Sequence, residues 1–532
     1  MKSTILEAEN TEKPAGSPQA GWMIAAATVL GVSVDLLFRG ERLGISFVIW
    51  AALCVLALGW TAARQGLLPG RAFLLPAFIL PLAGFTAVRM EPLSVGLSMA
   101  AVLVLFTIWV RDFRAGGWLD MGWLEAAWSV ISVPVEAVFR PWRVLGAASE
   151  RLAGDSGTRR TSLAVLRGLL LAVPALFIFG GLLSAADLIF SDVMEQALAW
   201  FDWDVLQEVL GHVLLILISA VFFLGVLVTA LRERPQADEN SWMRKGFAPF
   251  VGMIETLMLL GAVDALFLVF VVIQFRYFFG GEANISAAGY TYAEYARQGF
   301  GELVAVAFLS LGLILLLARW SKRSEQRIWF NALAALLIGE VGVMLVSAFN
   351  RLLLYEAAYG FTRLRLYTHV AIVWLGVVLA VFLVLLLAER TTRSVLLAAG
   401  AAIGFIFSLN VINVDAHIVR QNTARYLQSG ELDTSYLLEL SFDAVPAMVE
   451  AVDSVAGEEQ DYMLAALACK RTRIEVQREE TGWPSANLSR ARASGALESV
   501  AEELSNYEVL QGDSGWVVQW EGEEMYCGFY WD

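Results

Sequence analysis

The feature that most constrains this chain is a series of long apolar stretches separated by short polar connections. Eleven stretches approach the length at which a helix crosses a bilayer. They cover residues 21–38, 45–60, 72–88, 93–110, 163–186, 209–231, 250–275, 302–319, 331–349, 367–388 and 394–412. Charged residues make up only 17% of the chain, which suits a protein that lies mostly in lipid. The sequence therefore predicts an all-α polytopic membrane protein with about 11 transmembrane helices.

The distribution of Lys and Arg predicts which way the chain faces. Basic residues are concentrated in the connections at 111–162, 232–249 and 319–327, whereas residues 191–208 contain none. Because basic connections stay in the cytoplasm, this pattern indicates a cytoplasmic N-terminus and an extracytoplasmic C-terminus in a bacterial plasma membrane. Arg351, Arg363 and Arg365 oppose this assignment, because they lie in a connection predicted to be outside.

Composition divides the chain into five regions. They are a disordered cytoplasmic lead (1–20), an N-terminal four-helix membrane segment (21–110), a basic and Trp-rich cytoplasmic loop (111–162), a seven-helix membrane core (163–412) and an extracytoplasmic acidic domain (413–532). Residues 118–142 are apolar enough to raise the question of a further span. Their four tryptophans and the interrupting Pro134 favour a segment lying along the inner membrane surface.

The negative charge of the chain belongs to its C-terminal region. Residues 413–532 hold 8 basic and 22 acidic residues, whereas the preceding 412 hold 30 of each. Helical periodicity followed by one alternating segment predicts a small, mostly helical domain closed by a hairpin. Its charge predicts repulsion from nucleic acid and from anionic lipid, so no nucleic acid is expected as a partner, and it suits cations or a basic protein partner. In an oxidising compartment a disulfide between Cys469 and Cys527 is as reasonable as two buried thiols.

Two acidic residues are predicted to lie deep in the membrane. Asp264 is midway along the seventh apolar stretch and Glu340 midway along the ninth, so both would sit at a similar depth. Ionisable groups at such a depth are costly, and they are candidates for a proton-sharing or cation-holding site. The alternative is that each is neutral or hydrogen-bonded and serves helix packing.

A second group of candidates falls in the layer predicted to be outside. The ligand-binding candidates for an anionic group are Arg297, Arg351, Arg363, Arg365 and His369, and the weaker catalytic candidates are Glu294 and Glu302. Simple ion pairing, such as Arg297 with Glu294 or Arg351 with Glu356, is the competing interpretation. Histidine and cysteine spacing favours no metal site, and the sequence lacks nucleotide-binding and nucleophile-elbow motifs, so no cofactor is expected.

Several motifs resemble a known family. The segments GYTYAEYARQGF and NVDAHIVRQNTARY, followed by LDTSYLLELSFDAVPAMVEAV, are similar to a family of bacterial multi-pass membrane proteins catalogued as a domain of unknown function. The resemblance covers roughly residues 163–450. It implies a membrane core with an outward polar surface, and it assigns no substrate, cofactor or catalytic residue.

Three functions remain compatible with the sequence. The first is a transporter or channel-like protein in the lipid bilayer, using an outward-facing polar cavity. The second is a membrane sensor or scaffold whose outer domain binds a partner. The third is an outer-leaflet enzyme acting on a lipid-linked or envelope substrate, and the sequence leans away from an enzyme.

Overall fold

The computed structural model describes residues 18–67, 70–114, 117–142, 203–232, 251–278, 300–320, 327–512 and 515–528, together with a few isolated positions between 172 and 193. In these residues the chain is overwhelmingly helical, and ten helices are long and apolar enough to cross a membrane. They coincide with ten of the eleven predicted spans. The remaining one, residues 163–186, lies outside the described residues except for isolated positions. The prediction of an all-α polytopic membrane fold is confirmed.

The helices and strands are numbered here in chain order. The helices of the membrane region are α1 Pro18–Phe38, α2 Ile45–Arg64, α3 Pro76–Val88, α4 Pro92–Asp112, α5 Trp123–Phe139, α6 Trp203–Leu231, α7 Met253–Phe278, α8 Phe300–Trp320, α9 Arg327–Tyr359, α10 Arg363–Leu387 and α11 Ser394–Ile412. The C-terminal region contains α12 Val414–Ser429, α13 Thr434–Glu439, α14 Val445–Val452, α15 Glu458–Glu480, α16 Leu488–Ser499, β1 Glu508–Gly512, β2 Gly515–Trp520 and β3 Glu523–Tyr526.

The spanning helices form two apolar bundles. Buried residues of α1 to α6 share one core, and those of α7 to α10 share another. In the first bundle α1 crosses α6 closely, because a Cβ atom on Gly31 would come within 2.6 to 2.9 Å of backbone and side-chain atoms of Ile216 and Ala220. Small residues at such crossings let helix backbones approach in lipid. Helix α11 connects the first bundle with the C-terminal region, since Ile406 packs in the first core and Leu409 packs in the core of the C-terminal region.

The ninth span is longer than its apolar stretch predicts. Helix α9 continues to Tyr359, so the predicted connection over 350–366 shrinks to the three residues between Tyr359 and Arg363. Gly360, at a φ of 77°, makes the turn in a conformation that favours glycine. The helix outlasts the apolar stretch for a physical reason. Hydropathy falls at the first polar side chains, but the backbone hydrogen bonds of the helix continue as long as those side chains have partners. Arg351 is consequently a helix residue.

Helix α5 occupies the Trp-rich loop. It is 17 residues long, and it is not among the ten candidate spans of the described residues. Trp123 at its start donates its indole N–H to Ser394 Oγ at 3.1 Å, and the backbone of Ala137 near its end packs directly on Gly225 of α6. Its placement along the inner membrane surface stays a prediction.

The C-terminal region is a helical domain with a small sheet. Strands β1, β2 and β3 pair antiparallel in sequence order, and β2 and β3 form the predicted terminal hairpin. The two turn residues, Glu521 and Gly522, both have positive φ, as a two-residue hairpin turn requires. Residues of α12 to α16 and of the sheet share one buried core, which also takes in Leu366 and Val370 of α10.

This domain contacts three connections between spans, at the contacts that we call the domain junction. The junction consists of Glu41 with Ser485, Asp443 with Arg89 and Glu91, and Arg363 with Asp415. These are the first, third and ninth connections along the predicted spans. The sequence predicts that these three connections lie on the same side of the membrane as the C-terminal domain. Their contacts with that domain are consistent with this prediction.

Candidate functional site

Two buried carboxylates lie between α7 and α9 in the second bundle. Asp264 is 4% exposed and Glu340 is 5% exposed. All four carboxylate oxygens are shielded from solvent, and none has a hydrogen-bond partner among the described residues. Their helices, α7 and α9, contribute to the same apolar core. We call these residues the intramembrane pair.

The chemistry of such a pair is restricted by its surroundings. Two adjacent carboxylates in a low-dielectric interior repel each other, and each loses its hydration. Protonating one of them removes most of that cost, and a bound cation would do the same. Because such groups titrate together, a single proton belongs to the pair and not to either residue.

Polar side chains continue from the pair toward the end of α9 that faces the C-terminal domain. Gln274 of α7 accepts hydrogen bonds through Oε1 from Ser347 Oγ at 2.9 Å and from Arg351 at 3.1 Å. Ser347 and Arg351 follow Glu340 by seven and eleven residues, so all three share one face of α9. Arg351 therefore lies about 16 Å along the helix from Glu340.

A second polar cluster lies where α9 ends, formed by Glu356, His369 and His417. Glu356 is fully buried, and one of its oxygens lies 3.2 Å from His369 Nδ1. The ring of Phe349 packs edge-on against His369, with centroids 4.5 Å apart. Burial lowers the pKa of His417, with the charges of Arg420 and His369 acting in the same direction and that of Glu356 opposing them. We call these three residues the histidine cluster.

The predicted ligand residues Arg363 and Arg365 are held by the protein itself. Arg363 donates from Nε and from one terminal nitrogen to the two oxygens of Asp415, at 2.8 and 2.6 Å. Arg365 donates to the carbonyl oxygens of Tyr359 and Gly360, and its guanidinium lies 4.1 Å from the centroid of the Tyr355 ring. These partners explain why arginines occur in a connection predicted to be outside.

The remaining predicted residues separate from one another. Glu302 is exposed in the first turn of α8, and the described contacts do not join it to Arg363 or Arg365. Glu294 and Arg297 lie outside the described residues, as does the rest of the GYTYAEYARQGF motif apart from its last residue. Within the part of the chain that is described, no group of three or more His, Cys, Asp or Glu side chains has the arrangement of a metal site.

Cysteines of the C-terminal domain come together. Cys469 of α15 and Cys527, just after β3, form a disulfide with their Cα atoms 5.4 Å apart. The bond attaches the last described strand to the longest helix of the domain. Cys54 in α2 is a free thiol.

Sequence reasoning did not single out Glu91 at the domain junction or Lys470 within the C-terminal domain, although both are buried. Glu91 caps α4, accepting from the backbone N–H of Leu93 at 2.9 Å and of Ser94 at 2.7 Å, and it also accepts from the Tyr367 hydroxyl. Its position directly before Pro92 is a helix-start signal that could have identified it. Lys470 gave no such signal, because its buried partners are carbonyl oxygens of Leu438 and Leu440, at 2.9 and 2.6 Å.

The ten helices among the described residues that are long and apolar enough to cross a membrane define the class as a polytopic α-helical membrane protein. The chain belongs to the family described as Domain of unknown function (DUF4153), which matches residues 77–451. The match begins well before residue 163, where the resemblance was expected to start, so it includes α4 and Glu91. Neither the curated proteins nor the solved structures provide a match.

Proposed function

We propose that this protein is a transporter or channel-like protein in which the intramembrane pair carries a proton or a monovalent cation. The observation that supports this proposal is the absence of hydrogen-bond partners for Asp264 and Glu340 among the described residues, in spite of nearly complete burial. Carboxylates that served packing would be expected to pair with a neighbouring helix. An intramembrane pair without such partners suits a ligand that comes and goes.

The polar side chains beyond the pair suggest a route to one membrane face. Gln274, Ser347 and Arg351 extend from Glu340 along α9, and the histidine cluster follows at its end. Arg351 would discourage the passage of a second cation and favour one charge at a time. Histidine can exchange protons near neutral pH, as a proton exit requires.

For orientation, we propose a bacterial plasma membrane with the N-terminus in the cytoplasm and the C-terminal domain outside. The basic connections support this assignment, and the shared side of the first, third and ninth connections is consistent with it. The histidine cluster would then open outward.

Flux measurements test the proposal. We would reconstitute the full chain in liposomes and follow proton, Na⁺ and K⁺ movement under imposed gradients. Asp264→Asn and Glu340→Gln should each abolish the flux, because they remove the exchangeable charge with little change of shape. Glu208→Gln, at an exposed carboxylate in the first turns of α6, is the matched control and should retain it. Unchanged flux in both pair variants, or no flux in the unaltered protein, would reject the proposal.

A membrane sensor or scaffold is the second candidate, and the domain junction favours it. Because the C-terminal domain contacts three connections through charged side chains, a partner bound to that domain could act on the spans. The exposed acidic hairpin residues Glu521, Glu523 and Glu524 suit a basic partner. Changing all three to Gln should abolish the cellular phenotype while leaving ion flux intact. A fully functional triple variant would reject this candidate.

The enzyme alternative receives no support from the described contacts. Arg363 and Arg365 already hold partners within the protein, and Glu302 lies apart from them. A binding groove for a lipid-linked substrate would need those arginines to be accessible.

A further inference from the structure

The first turn of α16 rests on the ends of two spanning helices. Asn487 caps this helix and donates its amide N–H groups to the carbonyl oxygens of Thr86, at 2.9 Å, and Arg89, at 3.2 Å, where α3 ends. Ile45, the first residue of α2, donates its backbone N–H to Ala486 at 2.9 Å. The start of α16 is therefore fixed at the level where the hydrocarbon ends and lipid headgroups begin.

Arg490 in this first turn has no anionic partner among the described residues. Its Nε and one terminal nitrogen are shielded from solvent and have no hydrogen-bond partner among the described residues, and none of the described carboxylates forms an ion pair with it. A shielded guanidinium in this state is costly, because it has lost water without gaining an acceptor. Burial lowers the pKa of Arg490, and the charge of Arg42 lowers it further.

Arg42 adds a second positive charge beside Arg490. It lies in the connection between α1 and α2, and its side chain is 45% exposed. A terminal guanidinium nitrogen of Arg42 lies 3.5 Å from a carboxylate oxygen of Glu480. Both side chains are exposed, so this ion pair is weak and an incoming anion could replace it. The other nearby carboxylate, Glu41, is occupied by the N–H of Gly482 at 2.9 Å and the hydroxyl of Ser485 at 2.6 Å.

Exposed apolar side chains surround the same place. Trp483 is 65% exposed, and Leu43, Ile45 and Leu488 are also exposed. Tryptophan at the membrane boundary favours the headgroup layer, with its ring among the acyl chains. A pair of arginines bordered by apolar side chains matches a ligand with an anionic head and an apolar tail.

We infer that Arg490 and Arg42 bind a phosphate group, supplied by the headgroup of a phospholipid in the leaflet next to the C-terminal domain. Arginine suits phosphate because its planar fork donates two parallel hydrogen bonds. The N-terminal turn of α16 adds its positive dipole end. Bound in this way, the lipid would fasten the C-terminal domain to the membrane beside α2 and α3. This inference stands independently of the ion-transport proposal.

Binding to the purified full-length protein tests the inference. We would titrate three probes in detergent, followed by native mass spectrometry and by the thermal unfolding temperature. They are dioctanoyl phosphatidylglycerol, dioctanoylglycerol with the same tails but no phosphate, and inorganic phosphate. Only the first should bind and raise the unfolding temperature. Equal binding of dioctanoylglycerol would overturn the inference, and equal binding of inorganic phosphate would replace the lipid with a free anion.

Variants locate the site. Arg490→Gln and Arg42→Gln should each weaken phosphatidylglycerol binding about tenfold or more, because each removes charge-assisted hydrogen bonds. Arg490→Lys keeps the charge and should recover part of the loss, which separates binding from misfolding. Arg478→Gln removes one exposed positive charge from the same domain and should bind like the unaltered protein. A loss of the same size in Arg478→Gln, or none in Arg490→Gln, would overturn the assignment.

Discussion

The intramembrane pair and the domain junction are both built from buried carboxylates, and they treat those carboxylates in opposite ways. Asp415 in the junction accepts from Arg363 and also from the backbone N–H of Ser441 at 2.7 Å. Asp264 and Glu340 accept no hydrogen bond from the described residues. A buried charge with a full set of partners holds elements in place, whereas one without them is available to a ligand. The partnered carboxylates of the junction therefore belong to the architecture, whereas the intramembrane pair is the candidate for function.

Asp443 shows how completely the junction satisfies its charges. It accepts the backbone N–H groups of Met90 at 2.7 Å and Glu91 at 2.9 Å, and Arg89 lies 3.7 Å away. Burial raises the pKa of Asp443, whereas the hydrogen bond from Met90 and the charge of Arg89 lower it. Since its partners belong to the connection between α3 and α4, this carboxylate helps to fix the domain on the membrane region.

The largest expected effect comes from breaking the junction. Asp415→Ala should lower the free energy of unfolding by about 3 kcal/mol or more, because it leaves Arg363 half-buried without its counter-ion. Denaturation in detergent would measure this. The exposed pair of Arg420 and Glu450, 3.7 Å apart, supplies the control, since Glu450→Ala should have almost no effect. If the two variants behave alike, the junction is not held by its charges.

Removing the disulfide should have the next largest effect. The disulfide closes a loop between cysteines that are 58 residues apart in sequence. The double variant Cys469→Ser, Cys527→Ser should therefore lower the free energy of unfolding of the C-terminal domain by about 2 to 4 kcal/mol. The loss would appear as a lower unfolding temperature, reproduced in the unaltered protein by a reducing agent. Flux through the second bundle should persist, because the bond lies outside it. A parallel loss of flux would mean that the two regions are more closely coupled than their contacts indicate.

Lys470 gives the C-terminal domain a pH dependence. Burial lowers the pKa of Lys470 from 10.5 to about 7 in the folded protein. Between these values the unfolded chain binds more protons, so stability should increase as pH rises from 7 toward 10.5. The slope should approach about 1.4 kcal/mol per pH unit.

Unfolding temperatures at pH 7.5, 8.5 and 9.5 would measure this slope, and Lys470→Met should flatten it. Lys470→Met also removes the donor to Leu438 and Leu440, so its overall stability should fall while its slope disappears. The same slope in both proteins would show that another group titrates.

The smallest expected effect on stability belongs to the intramembrane pair. Asp264→Asn with Glu340→Gln should leave the unfolding free energy within about 1 kcal/mol of the unaltered protein, or raise it, because no partner in the described residues is lost. Denaturation in detergent, run beside Asp415→Ala, gives the direct contrast. A loss as large as that of Asp415→Ala would show that the pair holds the bundle together, and the comparison between the regions would fail.

Much of the candidate site could be predicted because intramembrane charge is rare. Asp264 and Glu340 stand out in apolar stretches, and parallel helices of known length put them at one depth. The partners of the arginines could not be predicted in the same way. Sequence pointed to Arg363 and Arg365 as ligand residues, but their partners are Asp415 and the carbonyl oxygens of Tyr359 and Gly360. Backbone acceptors are identical at every residue, so no sequence pattern identifies them.

The sequence by itself determined the membrane class, ten spans among the described residues, the positions of Asp264 and Glu340 midway along their apolar stretches and the acidic C-terminal region. These follow from hydropathy and charge, which act locally and add along the chain. Only the tertiary structure decided that Arg363 meets Asp415, that Cys469 meets Cys527 and that two guanidinium nitrogens of Arg490 have no acceptor among the described residues. Such pairings depend on which side chains arrive at the same place after the helices pack. That arrangement is set by the whole chain, and so no single stretch of the sequence contains it.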